Sequence, residues 1–267
     1  MTAVAERGRV RHVVRSWAAE KPALYLPFAR KRYPGPSPEV IGPETEVVID
    51  GYTRCASTFA VYAFQLAQER PVRMAHHLHA PAQLIAAAKA DLPTIVVIRD
   101  PEGAILSQAV REPGIALRDA LWAYERFYSR LLPYRSSYVV ADSTEVTTDF
   151  AAVVRRLNAQ FGTSFSEFEP TGENLAQCMA LMGERSKLPE LLLRFESGTA
   201  TLEEALSAVA DAGAAREEDN AWVPSPDRER RKDKLRAEWL QPRLERPRAR
   251  ARAAYESFLR GDVEEAS

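Results

Sequence analysis

The chain has 267 residues, enough for one large α/β domain or at most two small ones. Hydrophobic residues make up 46% and charged residues 27% of it, a composition that excludes global disorder. The formal net charge of −1 argues against a nucleic-acid partner bound through bulk charge.

Two cysteines, Cys55 and Cys178, are too few for a disulfide framework. No run of about 18 apolar residues is present, so no membrane span is expected. Residues 1–20 mix arginines with Glu6 and Glu20 and lack a continuous apolar core, which predicts no cleaved secretory signal. These features predict a cytoplasmic protein, and nothing in the sequence indicates its oligomeric state.

Hydrophobic patterns predict alternating strands and helices over the first part of the chain. The predicted elements are helix 8–19, loop 33–45, strand 46–50, helix 58–69, strand 72–76, helix 81–90, strand 94–98, helices 101–111 and 116–132, strand 138–141 and helix 149–161. Their order predicts an α/β fold with a central parallel sheet and helices on both faces. After residue 165 the chain is predicted to be mostly helical, with a polar linker at 213–227 and one or two helices at 228–260.

Positive charge is concentrated near the end of the chain. Residues 228–252 contain eleven Arg or Lys and four Asp or Glu. Such a run is most often a solvated helical face. The alternative is that a few of these side chains close over a polyanionic ligand.

The first strand is followed by a turn that opens a helix. Free N–H groups at a helix N-terminus, together with the helix dipole, favour an anion in this position. Arg54 adds a cation, and Ser57 and Thr58 add hydroxyl groups, although the GxxxxGK[ST] pattern is absent. Taken alone, the segment fits an ordinary turn with a surface arginine equally well.

A second strand-to-helix unit repeats this arrangement. Arg99 ends the strand at 94–98, and Ser107 follows about two helical turns later. A guanidinium and a hydroxyl in these places can converge on one anion. Two such sites on neighbouring strands predict a ligand with phosphate groups at two places, such as 3′-phosphoadenosine 5′-phosphosulfate (PAPS).

At these residues the chain resembles the sulfotransferases of the cytosolic and bacterial type. That family's first loop runs P-K-S-G-T-T-W, and T-R-C-A-S-T-F at 53–59 stands in its place. The family's arginine–serine pair, eight residues apart, matches Arg99 and Ser107, and its H-x-P motif matches His79-Ala80-Pro81. The similarity covers roughly residues 46–165, with a fainter likeness in the basic segment.

The resemblance implies a single P-loop NTPase-like domain over residues 1–267. It implies an enzyme that moves a sulfuryl group from PAPS to a hydroxyl or amine of a small-molecule acceptor. Adenosine 3′,5′-bisphosphate (PAP) would be the product, and no metal would be required. Residues 46–165 would bind the nucleotide, 166–227 would form the acceptor side, and 228–260 would be a basic helical segment.

The resemblance also assigns the residues that bind the donor. They are Arg54, Cys55, Ala56, Ser57, Thr58, Phe59, Arg99, Ser107, Arg231 and Lys232, with Arg228 and Arg230 as further candidates in the basic segment. Arg54 replaces the family lysine; it can stabilise charge on the departing oxygen but cannot donate a proton. Ala56 replaces a glycine and would strain the loop if that position needs an unusual backbone angle. Phe59 replaces a tryptophan and keeps an aromatic face for adenine.

Three of the four histidines lie at positions 76, 77 and 79. No Cys, Asp or Glu lies within local spacing to complete a metal site, so none is predicted. If 72–77 is a strand, alternation places His77 and His79 on the same side. His79 is the predicted catalytic base, and His77 is the alternative base or a partner of the leaving oxygen. A structural role for these histidines stays open.

Two other functions remain open. A nucleotide-dependent kinase is disfavoured by the missing loop lysine and by the lack of a convincing pair of Mg²⁺ ligands. Asp50 and Asp100 lie near the strand ends, but Asp100 is better explained as the N-cap before Pro101. A non-catalytic nucleotide-binding relative of the sulfotransferases would tolerate the change at Arg54. Cys55 would carry a lowered pKa if the helix N-terminus acted on it, or would be only a small loop residue.

Overall fold

The structure, a computed structural model, describes residues 16–34, 39–185, 187–212 and 226–261. The predicted helix at 8–19 and the linker at 213–227 lie largely outside the described residues. The helices and strands are α1 (Pro22–Arg32), β1 (Val47–Gly51), α2 (Ser57–Ala67), β2 (Met74–His76), α3 (Pro81–Lys89), β3 (Thr94–Ile98), α4 (Pro101–Arg111), α5 (Leu117–Leu131), β4 (Val139–Asp142), α6 (Ser143–Thr148), α7 (Phe150–Phe161), α8 (Gly172–Glu184), α9 (Pro189–Glu196), α10 (Leu202–Ala212), α11 (Pro226–Trp239) and α12 (Glu245–Arg260).

The four strands form one parallel sheet in the order β2-β1-β3-β4. Ile49 in β1 lies opposite His76 in β2 and Ile95 in β3. Every residue of β1, β2 and β3 is buried, so both faces of the sheet are covered. The predicted α/β class and parallel sheet are therefore confirmed.

The sheet reverses its direction of growth at β1. The chain passes from β1 to β2 on one side and then crosses back to β3 on the other side. In open parallel sheets, ligands bind at the carboxyl ends of the strands where the order reverses, because the two loops diverge there and leave a crevice. The loops after β1 and β3 are the ones that the sequence singled out.

Close packing at this point depends on a glycine. A Cβ added to Gly51, the last residue of β1, would lie 2.0 Å from the Val97 carbonyl oxygen in β3. Only glycine allows β1 and β3 to approach this closely just before the loop begins. The two loops thus begin from a tightly packed strand pair.

The observed elements differ from the predicted ones in three places. Helix α1 was not predicted; it contains Pro27, and apolar residues lie on both its faces. Helix α6 was not predicted either. Strand β2 ends at His76, because His77 and His79 adopt positive φ angles of 57° and 49°. Strand alternation therefore does not place these two side chains, and that part of the prediction was wrong.

The last two helices pack on α4 and α5. Arg252 forms an ion pair of 2.7 Å with Asp100, and Arg236 forms one of 3.3 Å with Glu102. These contacts hold α11 and α12 beside the first turn of α4. Within the described ranges, no helix has the length and apolar character needed to cross a membrane.

Candidate anion and proton-transfer site

The loop between β1 and α2, residues 52–56, has an unusual backbone. Arg54 and Ala56 adopt φ angles of 66° and 70°, a region that L-residues other than Asn and Asp seldom occupy. Ala56 is the N-cap of α2, and no side chain caps this helix. The N–H groups of its first turn are therefore not satisfied by a capping side chain. The position where the resembled family has glycine does require a positive φ angle.

Ser57, the first residue of α2, is a buried polar group without a protein partner. Its side chain is 4% exposed, and its Oγ makes no hydrogen bond to any described residue. Burying an unpaired hydroxyl costs free energy. An orphan hydroxyl beside uncapped N–H groups fits a position where a bound anion completes the hydrogen bonding.

Positively charged side chains converge on this loop from three other segments. Burial and the neighbouring guanidiniums of Arg228, Arg111 and Arg99 lower the pKa of Arg54 to about 10. Burial and the charges of Arg111 and Arg231 also lower the pKa of Arg228. Mutual repulsion of this kind is relieved by an anion, so the cluster favours a ligand with more than one negative charge.

The two anion sites that the sequence predicted lie in direct contact. Arg54 Nε donates to Ser107 Oγ at 3.1 Å, and Arg99 Nη1 donates to the Arg54 carbonyl oxygen at 3.2 Å. The Arg99 side chain crosses the first turn of α4, where a Cβ at Gly103 would lie 2.8 Å from Arg99 Nε. Arg54 thus connects the β1–α2 loop with the Arg99–Ser107 pair.

The basic segment presents a different residue from the two that the sequence favoured. Arg231 is exposed and pairs with Asp227 at 2.7 Å, and Lys232 pairs with Glu229 at 2.6 Å. The Lys232 side chain is only 10% exposed. Its hydrogen bond lowers the pKa of Glu229, and the charge of Arg99 contributes to this shift, so the pair lies near the site. Arg228 is the member of this segment whose charge reaches Arg54.

Asp50 holds His79 in a fixed orientation. The His79 Nδ1 atom lies 2.9 Å from the Gly51 carbonyl oxygen and 3.1 Å from Asp50 Oδ1. The His79 backbone N–H donates to Asp50 Oδ2 at 3.1 Å, and Gln83 Nε2 donates to the same oxygen at 3.2 Å. Because Nδ1 is engaged and Nε2 has no hydrogen bond to the described residues, Nε2 is the atom that can accept a proton.

The surroundings of His79 suit a base. Burial alone would lower its pKa, but the hydrogen bond and charge of Asp50 outweigh burial and raise it above the usual value. His79 lines a cavity of about 280 Å³ that also borders the β1–α2 loop. Other walls of this cavity are formed by Tyr25, Tyr33, Tyr52, Leu78, Pro81 and Phe127.

His77 is engaged at both ring nitrogens. Its Nε2 lies 3.1 Å from Thr58 Oγ1, and its Nδ1 lies 2.7 Å from His76 Nδ1. Burial and the charges of His76, Arg185 and His79 lower the pKa of His77 well below the usual range. This arrangement makes His77 a positioning residue for Thr58 at the start of α2, and a poorer base than His79.

Behind His77 lies a buried polar network. Glu196 accepts hydrogen bonds from Tyr62 at 2.8 Å and from Arg185 Nη2 at 3.0 Å. Its Oε2 atom lies 3.6 Å from His77 Nδ1 and 3.9 Å from His76 Nδ1. The charge of Arg185 therefore neutralises Glu196 in the protein interior.

His76, His77 and Glu196 form a cluster of possible metal-ligand atoms, all within 4.8 Å of one another. The sequence offered no acid near these histidines, and the fold supplies one from a distant helix. Because the Glu196 carboxylate is already paired with the Arg185 guanidinium, the cluster is better described as an ion-pair network than as a cation site.

Two further predicted donor-binding residues, one in the loop and one in α2, are buried in the protein. Cys55 is fully buried beside the Tyr128 hydroxyl at 3.5 Å, and burial raises the pKa of its thiol to about 12. The interpretation that a helix N-terminus lowers this pKa was wrong, because burial dominates. Phe59 is buried, and its ring meets Phe168 edge-on at 6.1 Å.

Sequence reasoning missed several residues that shape the site. Asp50 was considered only as a possible Mg²⁺ ligand, and its contact with His79 was not predicted; the signal for a partner was that a carboxylate inside a buried strand needs one. Gly103 and Glu196 carried no such signal, since their roles follow from contacts made only in the folded chain. Comparisons of the chain with protein-family models, with curated proteins and with solved structures found no match.

Proposed function

We propose that the protein is a PAPS-dependent sulfotransferase with a P-loop NTPase-like fold, acting on a hydroxyl or amine of a small acceptor. The observation that carries the proposal is the convergence of four arginines and an uncapped helix N-terminus at the carboxyl ends of β1 and β3, next to a cavity that is lined by an oriented histidine. The four are Arg54, Arg99, Arg111 and Arg228.

The donor's charges fit the groups present. PAPS carries phosphate groups at two places and supplies the sulfuryl group that is transferred. The α2 N-terminus, Ser57 and Arg54 would hold its 5′-phosphosulfate end. Arg99, Ser107 and Arg228 would hold its 3′-phosphate. The buried orphan hydroxyl of Ser57 supports the first assignment, because an anion would complete its hydrogen bonding.

His79 would remove the proton from the acceptor. Its Nε2 faces no partner among the described residues, while Asp50 and the Gly51 carbonyl fix its Nδ1. Asp50 also stabilises the imidazolium that forms when the proton arrives. The acceptor oxygen or nitrogen would then attack sulfur as the bond from sulfur to the bridging oxygen breaks, and Arg54 would stabilise the charge that appears on that oxygen.

A kinase is a weaker alternative. Asp50 is committed to His79, Gln83 and the Gly51 N–H, and Asp100 caps α4 by accepting from the N–H groups of Glu102 and Gly103. Neither carboxylate near the strand ends is therefore arranged for Mg²⁺. A non-catalytic nucleotide-binding protein would share the anion site and would lack turnover.

Ligand-induced thermal shifts test the donor assignment. We expect PAP to raise the Tm without magnesium, and Arg99→Ala to weaken PAP much more than adenosine 5′-phosphate. Loss of a charge-assisted contact should cost about 1.5–3 kcal/mol. Arg155→Ala, which removes an exposed arginine paired with Glu167, is the control. Stabilisation only by Mg·ATP would favour a kinase and contradict the proposal.

Turnover separates the enzyme from a binding protein. With PAPS and a panel of phenols, alcohols and amines, an acceptor should gain the mass of one sulfuryl group. We expect His79→Ala to cut the chemical step by about 10²–10⁴-fold with nearly intact PAP affinity. Arg54→Lys should retain turnover, and Arg54→Ala should lose about 10²-fold or more. Normal turnover in His79→Ala together with a crippled His77→Ala would reverse the assignment of the base.

A further inference from the structure

One face of helix α1 packs against the rest of the protein. Tyr25, Leu26 and Ala29 are buried. Glu20, just before the helix, is buried and accepts from Arg126 at 2.6 Å and from Arg130 at 2.9 Å. The segment that carries α1 is therefore fixed to α5, and its outer face has a defined orientation.

That outer face exposes large apolar side chains. Leu24 is 61% exposed and Phe28 is 58% exposed, and they lie one helical turn apart on the same side of α1. Trp17, which precedes the helix, is 50% exposed. A helix with apolar residues on both faces is normally covered on both, so this outer face is suited to contact another apolar phase.

Cations surround these apolar side chains. Lys21, Lys31 and Arg32 are exposed, whereas Glu20, the one acid between residues 16 and 34, is buried against two arginines. In the sequence, residues 1–34 contain eight Arg or Lys and two Glu, in a chain whose net charge is −1. Positive charge is thus concentrated in the same part of the chain as the exposed aromatic residues.

We propose that the α1 surface comprising Lys21, Leu24, Phe28, Lys31 and Arg32, together with the exposed Trp17 that precedes the helix, docks on an anionic phospholipid bilayer. Aromatic and aliphatic side chains ringed by Lys and Arg are the chemistry that binds a helix in the plane of a membrane interface. Each basic residue near an anionic leaflet adds to the attraction. Two copies of this surface would place like charges together, which disfavours self-association.

Vesicle co-sedimentation of the full chain tests the proposal. We expect binding to phosphatidylcholine vesicles that contain phosphatidylserine, weakening as salt is raised, and little binding to phosphatidylcholine alone. Trp17 should enter the apolar interface, so tryptophan fluorescence should shift to the blue with the anionic vesicles. Trp17→Phe should keep vesicle binding and lose most of this shift.

A paired variant makes the test specific. Leu24→Glu/Phe28→Glu should lower vesicle affinity by at least roughly tenfold, because both apolar side chains are lost from the interface. Its Tm should stay unchanged, since both side chains are exposed. Leu240→Glu, at another exposed leucine, is the control and should bind normally.

Three results would overturn the proposal. The first is no binding of the wild-type chain to anionic vesicles at low salt. The second is equal binding of the wild type and the Leu24→Glu/Phe28→Glu variant. The third is a wild-type dimer that the same variant converts to a monomer, without vesicle binding, which would assign the surface to a second copy of the chain.

Discussion

The Asp50 carboxylate is buried in the sheet and contacts His79, the proposed base. It is fully buried in the central strand, and its oxygens accept from the backbone N–H groups of Gly51 and His79 and from the side chain of Gln83. These bonds satisfy the buried charge and also fix His79, which follows a different strand. One buried residue of the sheet thus sets the orientation of the proposed base.

Asp50→Asn should move the pH dependence of turnover. The base must be unprotonated, so the acid limb of kcat/KM in the wild type should have its midpoint above 6.5, because the pKa of His79 is raised. The variant keeps the burial that lowers this pKa and loses the charge that raises it, so the limb should move to lower pH. Glu112→Gln, at another carboxylate lining the cavity, is the control. An unmoved limb in Asp50→Asn would exclude His79 as the base.

Ser57→Ala should separate ligand binding from stability. The Ser57 hydroxyl makes no hydrogen bond to the described residues, so its removal should leave the Tm nearly unchanged. PAP affinity should fall by about tenfold or more if the hydroxyl donates to a charged oxygen. Ser107→Ala removes a hydroxyl that accepts from Arg54 and provides the comparison. Unchanged PAP affinity in Ser57→Ala would remove this hydroxyl from the anion site.

The first turn of helix α4 contains both a stabilising N-cap and a glycine that lowers helix stability. Asp100 caps its N-terminus and Pro101 occupies the first turn, as the sequence predicted. Gly103 in the same turn lowers helix propensity, yet it leaves room for the Arg99 side chain. The glycine therefore makes the helix locally less stable, and it leaves the space in which the Arg99 side chain crosses the N-terminal turn.

Gly103→Ala should affect the Tm and the PAP affinity in opposite directions or leave the Tm unchanged. Alanine should favour the helix by about 1 kcal/mol, but its Cβ would lie 2.8 Å from Arg99 Nε and force the arginine away. We expect a Tm that is unchanged or raised together with weaker PAP binding, measured by calorimetry. Gly172→Ala, at a helix position with open space around it, should leave PAP binding intact. Equal PAP affinity in Gly103→Ala and wild type would show that PAP binding does not depend on the Arg99 side chain lying over Gly103.

Helix α11 offers a matched pair of arginines. Arg228 adds its charge to the cluster around Arg54, whereas Arg231 is exposed and paired with Asp227. Arg228→Ala should therefore weaken PAP binding by about tenfold or more, and Arg231→Ala should change it little. Titration calorimetry at fixed ionic strength measures both. The reverse order of effects would support the residue that the sequence favoured.

The elements differ in how well local sequence predicts them. Strands β1 and β3 are apolar runs that end in turn residues, so they were predicted within a residue of their observed bounds. Helix α1 was missed because apolar residues on both of its faces erase the helical period. At the candidate site, Arg54, Arg99 and Ser107 were predicted from their places after the strands, and the folded chain brings them into contact. Arg111 and Glu196 were not, because only the folded chain brings them near.

Across the whole molecule, α9 is joined to the sheet by buried contacts. Glu196 at its end meets His76 and His77, and Gly198 just beyond it approaches the Val72 carbonyl so closely that a Cβ would lie 2.0 Å away. Gly198 also has a φ angle of 74°. These contacts span more than a hundred residues of sequence, so no local pattern could predict them. Through these contacts, residues from the second half of the chain help to hold His77 and Thr58 in place.

This buried network should make the protein sensitive to acid. Burial lowers the pKa of His76 to about 4 and that of His77 well below 6.5, so between these pH values the unfolded chain binds more protons. The free energy of unfolding should fall as the pH is lowered from 6.5 towards 4, with His76 contributing on the order of 1–3 kcal/mol.

His76→Gln should flatten this slope, as measured by urea unfolding at a series of pH values. The control is His79→Gln, because the pKa of His79 is raised and its stabilising contribution is lost only as the pH rises above 6.5. The slopes of the two variants' stability curves should therefore differ from the wild-type slope on opposite sides of 6.5, below it for His76→Gln and above it for His79→Gln. A slope in His76→Gln as steep as that of the wild type would mean that other groups, and not this buried histidine, determine the acid stability.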